Sequence, residues 1–233
     1  MTYPIEKRLM SGLPNVRLDS AKYVIAHESG NPKNCGPNAL ENEIAFMNRN
    51  KANAFVSHWV GGGGRIVQVA PVNRVQYGCG PKGNPYSYAQ VELARTADKE
   101  QFKKDYAAYI WLLRELAKEA GIPVVLDGAG NGIKSHRWIT NNLGGTTHVD
   151  PYSYLASMGI SEAQFKLDIL NGLEQVKGAQ FTEAKVMLND TKTIPAVIID
   201  GRTYVQVREI ADLLGLKLVY NNESKTTKLY EVK

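Results

Sequence analysis

Two of the four histidines in this 233-residue chain fall in one stretch, Ser135 to Leu155, which reads SHRWITNNLGGTTHVDPYSYL. His136 and His148 lie on either side of a Gly144-Gly145 turn with Thr146 and Thr147, and Asp150 follows, fixed by Pro151. Neutral imidazole nitrogen and carboxylate oxygen are zinc ligands of the kind that leave a position open for water. Such donors need not come from one segment. One ligand from an early strand and two from a late segment is a common way to build a site on a sheet surface.

The early partner is His27. It ends a short apolar run, Tyr23-Val24-Ile25-Ala26, that reads as a buried strand and presents His27 and Glu28 at its C-terminal end. Alone, either His27 or His136 reads as a satisfied core side chain. Joined by an Asp-Pro terminus, and by Glu92 between Val91 and Leu93 of a third strand, they make a stronger combination than any member by itself.

The elements that must hold these residues follow from periodicity. After His27 comes a loop rich in Gly, Pro and Asn, then a helix from Ala39 to Asn50 with Leu40, Ile44 and Met47 on one face. Ala54 to Val60 and Arg65 to Ala70 read as strands of a hairpin joined by Gly61 to Gly64, a flexible turn. No helix with Lys-Ser/Thr follows, so the glycines do not make a phosphate loop. Ala89 to Arg95 is a further strand. Asp98 caps a long helix to Ala120, whose apolar stripe includes Phe102, Tyr106, Tyr109, Leu113 and Leu116; Gly121 and Pro123 stop it. Val124-Val125-Leu126 reads as a strand, and Ser161 to Gln175 as a helix capped by Ser161.

The character changes at Lys177. The expected organisation is a domain over 1–175, a linker over 176–184 and a small α+β unit over 185–233, marginal in size for independent folding. In that last part strands alternate with a Gly201 turn, a short helix near Val207 to Leu214, and a final pair separated by Asn221-Asn222. The fold class is therefore α/β, a mixed central sheet flanked by helices, with a small C-terminal α+β domain.

Composition is globular, 43% hydrophobic and 22% charged. The net charge of +5 suits an anionic polymer, but it is spread along the chain, so no nucleic-acid stripe is marked. Cys35 and Cys79 lie outside any C-x-x-C spacing and indicate no disulfide framework. The start, MTYPIEKRLMSG, lacks the apolar region of a secretory signal, and no apolar run is long enough for membrane insertion.

From residue 20 to 155 the sequence resembles the zinc-dependent N-acetylmuramoyl-L-alanine amidases of the type 2 class, the fold of phage lysins and peptidoglycan recognition proteins. The motifs are VIAHESG, FVSHWVGGGGRIVQVAP, AQVELAR and SHRWI…GGTTHVDPYSYL, in the family's order. The resemblance implies Zn²⁺ held by His27, His136 and Asp150, with Glu92 acting on the attacking water. The family commonly has a lysine two residues before the third ligand. His148 stands there instead, and is expected either to stabilise the oxyanion or to compete as a ligand. His58 and Asn84 are candidate substrate contacts; for His58, a structural wall residue is an equally good reading.

The implied substrate is peptidoglycan, cut between the lactyl group of N-acetylmuramic acid and L-alanine. A phage lysin held in the host cytoplasm until release to the wall fits the missing signal. Two rivals stand beside it: a non-catalytic peptidoglycan-binding protein on the same fold, and a purely structural zinc site closed by His27, His136, His148 and Asp150. Residues 197–232, from VIIDGRTYVQVRE to KLYEV, resemble the copper-amine-oxidase N-terminal-like module, with Gln206 where a proline is usual. No metal-ligand cluster occurs there, so copper is not implied. Holding the enzyme on the wall is the expected role.

Overall fold

A computed structural model describes residues 2–173, 182–188, 192–199, 202–221 and 226–231. They fall into two compact units, Met1–Glu174 and Gln175–Lys233.

The first unit is built on a six-stranded mixed sheet. Its strands are β1 (Ile5–Lys7), β2 (Tyr23–Glu28), β3 (His58–Gly61), β4 (Arg65–Gln68), β5 (Ser87–Leu93) and β6 (Gly132–Ser135), in the order β1-β4-β3-β5-β2-β6. Only the β3–β4 hairpin is antiparallel; the other pairings are parallel. Parallel central strands are covered on both faces and read as apolar runs rather than alternating ones. β2 shows this: every residue from Tyr23 to Glu28 is buried. Its parallel register with β5 sets His27 opposite Glu92. Two candidate residues 65 positions apart in sequence thus become neighbours through strand pairing alone.

Helix α1 (Ala39–Asn50) has the bounds that its apolar spacing predicts. Helix α2 (Lys99–Glu119) begins where Asp98 accepts hydrogen bonds from the Glu100 and Gln101 amides. Its buried stripe of Phe102, Tyr106, Tyr109, Leu113 and Leu116 packs with Val24, Val91 and Leu93 of the sheet in the main core. A fully buried position such as Leu113 is expected to cost about 2–5 kcal/mol on truncation to alanine. Tyr109 also donates from its hydroxyl to the His27 carbonyl at 2.8 Å, tying the helix to the strand end that matters.

Four expectations are corrected. Val124 to Leu126 is not a strand: Leu126 makes only an isolated bridge with Ile133, while the neighbouring strand is β6, whose other edge pairs with β2. The Gly61 to Gly64 turn is pinned rather than loose. Gly63 and Gly64 adopt φ of 88° and 94°, and both amides donate to Asp105 Oδ1 of α2, at 2.7 and 2.6 Å. Helix α5 (Glu162–Asn171), capped by Ser161, stops before Gln175 because Gly172 turns out at φ 81°. Strand β7 starts at Thr182, inside the segment expected to be linker, because its backbone pairs there with β8.

The second unit holds a three-stranded antiparallel sheet of β7 (Thr182–Leu188), β8 (Lys192–Ile199) and β9 (Arg202–Val205). Helix α6 (Val207–Leu213) and a hairpin of β10 (Leu216–Asn221) and β11 (Thr226–Glu231) complete it. No helix among the described residues is long and apolar enough to cross a membrane.

Candidate active site

His27 stands near the C-terminal end of β2, paired with Glu92 of β5 just beyond the last β2–β6 pair at Ala26. His136 opens helix α3 (His136–Asn142), whose N-terminus is capped by Ser135 Oγ accepting from the Trp138 amide at 3.0 Å. Asp150 precedes Pro151 and helix α4 (Tyr152–Ser157), and its carbonyl accepts from the Arg137 amide at 3.2 Å.

These three side chains converge. Asp150 Oδ2 lies 3.1 Å from His27 Nδ1, and Asp150 Oδ1 lies 3.1 Å from His136 Nδ1. The two rings meet edge to face, with centroids 4.7 Å apart. Candidate donor atoms of all three residues lie within 4.8 Å of one another.

The far sides of the rings decide what these atoms can do. Gln90 is fully buried behind His27. Its amide nitrogen lies 3.2 Å from the Gln76 carbonyl and 3.3 Å from Asn84 Oδ1. A carbonyl only accepts, so the Gln90 amide group must point that way and its Oε1 must face His27 Nε2, at 3.1 Å. Nε2 of a neutral His27 therefore carries the proton, and the Nδ1 lone pair faces Asp150. Thr146 Oγ1, 2.9 Å from His136 Nε2, can fix the second ring in the same way. Outer partners of this type set ligand tautomer and orientation in metal sites.

Two lone pairs directed at one carboxylate repel unless a cation lies among them. Without a metal, that cation is a proton. Burial works against charging His27, but the hydrogen bond its ring donates to Asp150 when charged and the charges of Glu92 and Asp150 outweigh it and raise its pKa. Burial lowers that of His136. Asp150 resists its own burial through both histidines and is held well below the usual carboxylate range. Two neutral imidazoles and one carboxylate fit a divalent metal such as zinc, one donor short of a closed structural site.

Glu92 faces this cluster from β5. Its Oε2 is buried with no hydrogen-bond partner. Burial raises its pKa to about 8, against the favourable charge of His27 and helped by Asp150, Glu28 and Glu43. A carboxylate with one buried, unpartnered oxygen beside a cluster of metal-competent donors is the kind of group that functional sites retain.

His148 is 71% exposed. Its ring stacks on His136 at 4.9 Å, and its Nδ1 stands 4.0 Å from Asp150 Oδ1, outside the three-donor cluster. A groove of about 550 Å³ runs past it, lined among others by Tyr77, Pro81, Asn84, His136 and Thr146. Asn84 belongs to this wall, with its Oδ1 taken by the Cys79 and Gln90 nitrogens. His58 does not. It is 2% exposed within β3, bonded to Ser57 Oγ at 2.9 Å, and burial lowers its pKa to about 4. The expected substrate contact is corrected to a buried core residue of the sheet, because a central strand covered on both faces offers no open side. Cys79 is likewise buried, its thiol pushed up to about 12 mainly by burial, so it is no nucleophile.

Gln90 was missed by reasoning from residue type. It lies two positions before Glu92, so strand alternation puts both on the same face of β5, and that spacing was the available signal.

Three converging donors that could hold a metal ion, with Glu92 beside them, are carried on a mixed α/β sheet. The chain belongs to the N-acetylmuramoyl-L-alanine amidase family, whose family model matches residues 17–153. It is 54% identical over 171 residues to an endolysin of Listeria phage A511, covering 72% of this chain and 49% of that protein. It is 45% identical over 178 residues to a lytic amidase of Streptococcus pneumoniae phage HB-3, covering 74% and 54%. The chain thus spans about half the length of these curated relatives. Among solved structures, the Staphylococcus aureus hydrolase AmiA in complex with its ligand matches with a TM-score of 0.66 at 26% identity, over 73% of this chain and 83% of that one. The catalytic domain of XlyA matches in fold, with a TM-score of 0.54 at 18% identity over 71% of this chain and 99% of that one.

Proposed function

We propose that this chain hydrolyses the amide between the lactyl group of N-acetylmuramic acid and L-alanine in peptidoglycan, as a zinc-dependent phage endolysin. The observation that carries the reading is Glu92, whose buried Oε2 has no hydrogen-bond partner, beside the His27–His136–Asp150 cluster in a chain of the amidase family.

His27, His136 and Asp150 would hold the zinc ion. When bound, zinc lowers the pKa of a water to roughly 7 and polarises the scissile carbonyl. Glu92 takes the proton of the attacking water and returns it to the departing L-alanine nitrogen. Burial makes this carboxylate more basic than a free glutamate, which favours its taking up the proton. His148, stacked at the mouth beside Asp150, donates toward the oxyanion. Gln90 and Thr146 keep both imidazoles in the ligating tautomer. The groove past Asn84 and Tyr77 takes the stem peptide or glycan.

The second unit, through its resemblance to the copper-amine-oxidase N-terminal-like module, is assigned to holding the enzyme on the wall. The phage origin of both relatives supports release from the host cytoplasm at lysis. The unpartnered Oε2 of Glu92 beside a metal-competent cluster supports the hydrolase over a non-catalytic binder. Mass spectrometry of purified cell wall digested with this protein tests the proposal. Stem peptides with a new L-alanine amino terminus are expected. Binding to wall without release of any fragment would favour the binder.

A further inference from the structure

Asp127 lies outside the donor cluster and carries no role in the reaction as described. Its backbone takes φ 50°, and its carboxylate gathers three hydrogen bonds. Oδ1 accepts from the Ser135 amide at 2.7 Å, and Oδ2 accepts from Ser135 Oγ at 2.7 Å and from the Tyr152 hydroxyl. Ser135 is buried and immediately precedes His136; Tyr152 is buried and stands two residues after Asp150.

One carboxylate therefore joins the two backbone segments that deliver the second and third donors. Other contacts cross the same junction, among them Thr140 Oγ1 donating to the His148 carbonyl and the contact between His136 Nε2 and Thr146 Oγ1, but none of them is made by a charged acceptor to both segments. The segments are connected by a loop through Gly144 and Gly145, both at positive φ, and by the Arg137 amide donating to the Asp150 carbonyl at 3.2 Å. The Arg137 guanidinium of α3, itself paired with Glu162, lies 3.8 Å over the Tyr152 ring of α4 and so adds a cation-π contact between the same two segments, one that fixes no hydrogen-bond geometry. The Ser135 hydroxyl, by donating to Asp127, keeps its lone pair on the Trp138 amide and so sets the start of α3 at His136. A charged acceptor makes each of these bonds stronger than a neutral one, and bonds made to both sides at once fix a separation as well as an orientation.

We propose that Asp127 is a positioning residue for the metal: it fixes the spacing of His136 and Asp150, and hence the affinity and coordination geometry at the cluster. The inference rests on the zinc reading. It assigns the job to a residue that touches neither metal nor substrate.

The test uses the full chain stripped of metal. Zinc affinity is measured by competition with a chromophoric chelator for the wild type, Asp127→Ala, Asp127→Asn and Tyr152→Phe, and each is also loaded with Co²⁺ for its visible spectrum. Asp127→Ala is expected to lose roughly 10–100-fold in zinc affinity, the usual effect of removing an outer partner of a ligand. Asp127→Asn, which still accepts from the Ser135 amide, is expected to recover part of that loss. The cobalt bands of Asp127→Ala should shift. If Asp127 serves only overall stability, the metal-free melting temperature falls while zinc affinity stays within about threefold and the cobalt spectrum is unchanged, which overturns the proposal. Should Asp127→Ala fail to fold, Tyr152→Phe decides, since it removes only the hydroxyl that reaches Asp127 and keeps the ring: unchanged zinc affinity there rejects the clamp. A wild-type chain that takes up no zinc would reject the metal reading and the clamp together, whereas a tight wild type with equally tight variants rejects the clamp alone.

Discussion

Gln90 Oε1 lies 3.1 Å from His27 Nε2, and that contact decides which imidazole nitrogen is turned to Asp150. The Gln90 amide is oriented by the Gln76 carbonyl, so the tautomer of His27 on β2 is set by backbone far along the chain. Replacing Gln90 by leucine removes the acceptor while keeping the volume nearly constant. Zinc affinity is expected to fall by roughly 10–100-fold, measured by chelator competition. An unchanged affinity would show that the tautomer is set elsewhere.

Glu92→Gln keeps shape and removes the base. Zinc content of the purified variant should match the wild type, while turnover of a soluble muropeptide falls by roughly 10²–10⁴-fold. Near-wild-type turnover would end the general-base assignment.

Asp150 and His148 separate ligand from catalyst. Asp150→Ala loses the carboxylate to which both buried histidines are directed, so zinc occupancy and activity should fall together. His148→Ala, at an exposed side chain outside the cluster, should keep its metal and lose roughly 10²–10³-fold in turnover. Metal analysis showing the reverse pattern, zinc lost from the His148 variant and kept by the Asp150 one, would exchange their roles.

His58 gives a pH prediction with a definite sign. Burial depresses its pKa to about 4 in the fold, against 6.5 for the free side chain. Between these values the unfolded chain binds a proton that the folded chain does not, so the contribution is intact above pH 6.5 and is lost as pH falls toward 4. The loss amounts to roughly 3 kcal/mol at most. Urea unfolding of the wild type and His58→Gln at pH 7, 5.5 and 4.5 should show the variant gaining relative to the wild type as pH drops. Parallel curves at all three values would refute it.

Truncation after residue 178 removes the second compact unit and leaves all of His27, Glu92, His136 and Asp150 in the first. The shortened chain is expected to fold, bind zinc and cleave soluble muropeptide, with weaker sedimentation on intact walls. Loss of fold together with both activities would show one cooperative unit rather than two.

The sequence by itself determined the donor types, their order along the chain and the elements that carry them. α1 and α2 were legible to the residue or nearly so, because apolar spacing, the Asp98 cap and the Gly121–Pro123 stop act within a few residues of one another. His27 at a strand end was legible for the same reason. β6 was not, since Gly132–Ser135 carries little strand propensity and is held by parallel pairing to β2.

The chemistry of the site was decided only by the tertiary structure. The His27 tautomer depends on Gln90, 63 residues away, and its charge on Asp150, 123 residues away. The isolation of Glu92, the burial of His58 and the Asp127 junction likewise depend on neighbours that no local pattern names. Residue type fixes which protons and lone pairs a side chain has. Desolvation and the partner across the sheet fix where they point and what it costs to move them, and those are properties of the packed fold.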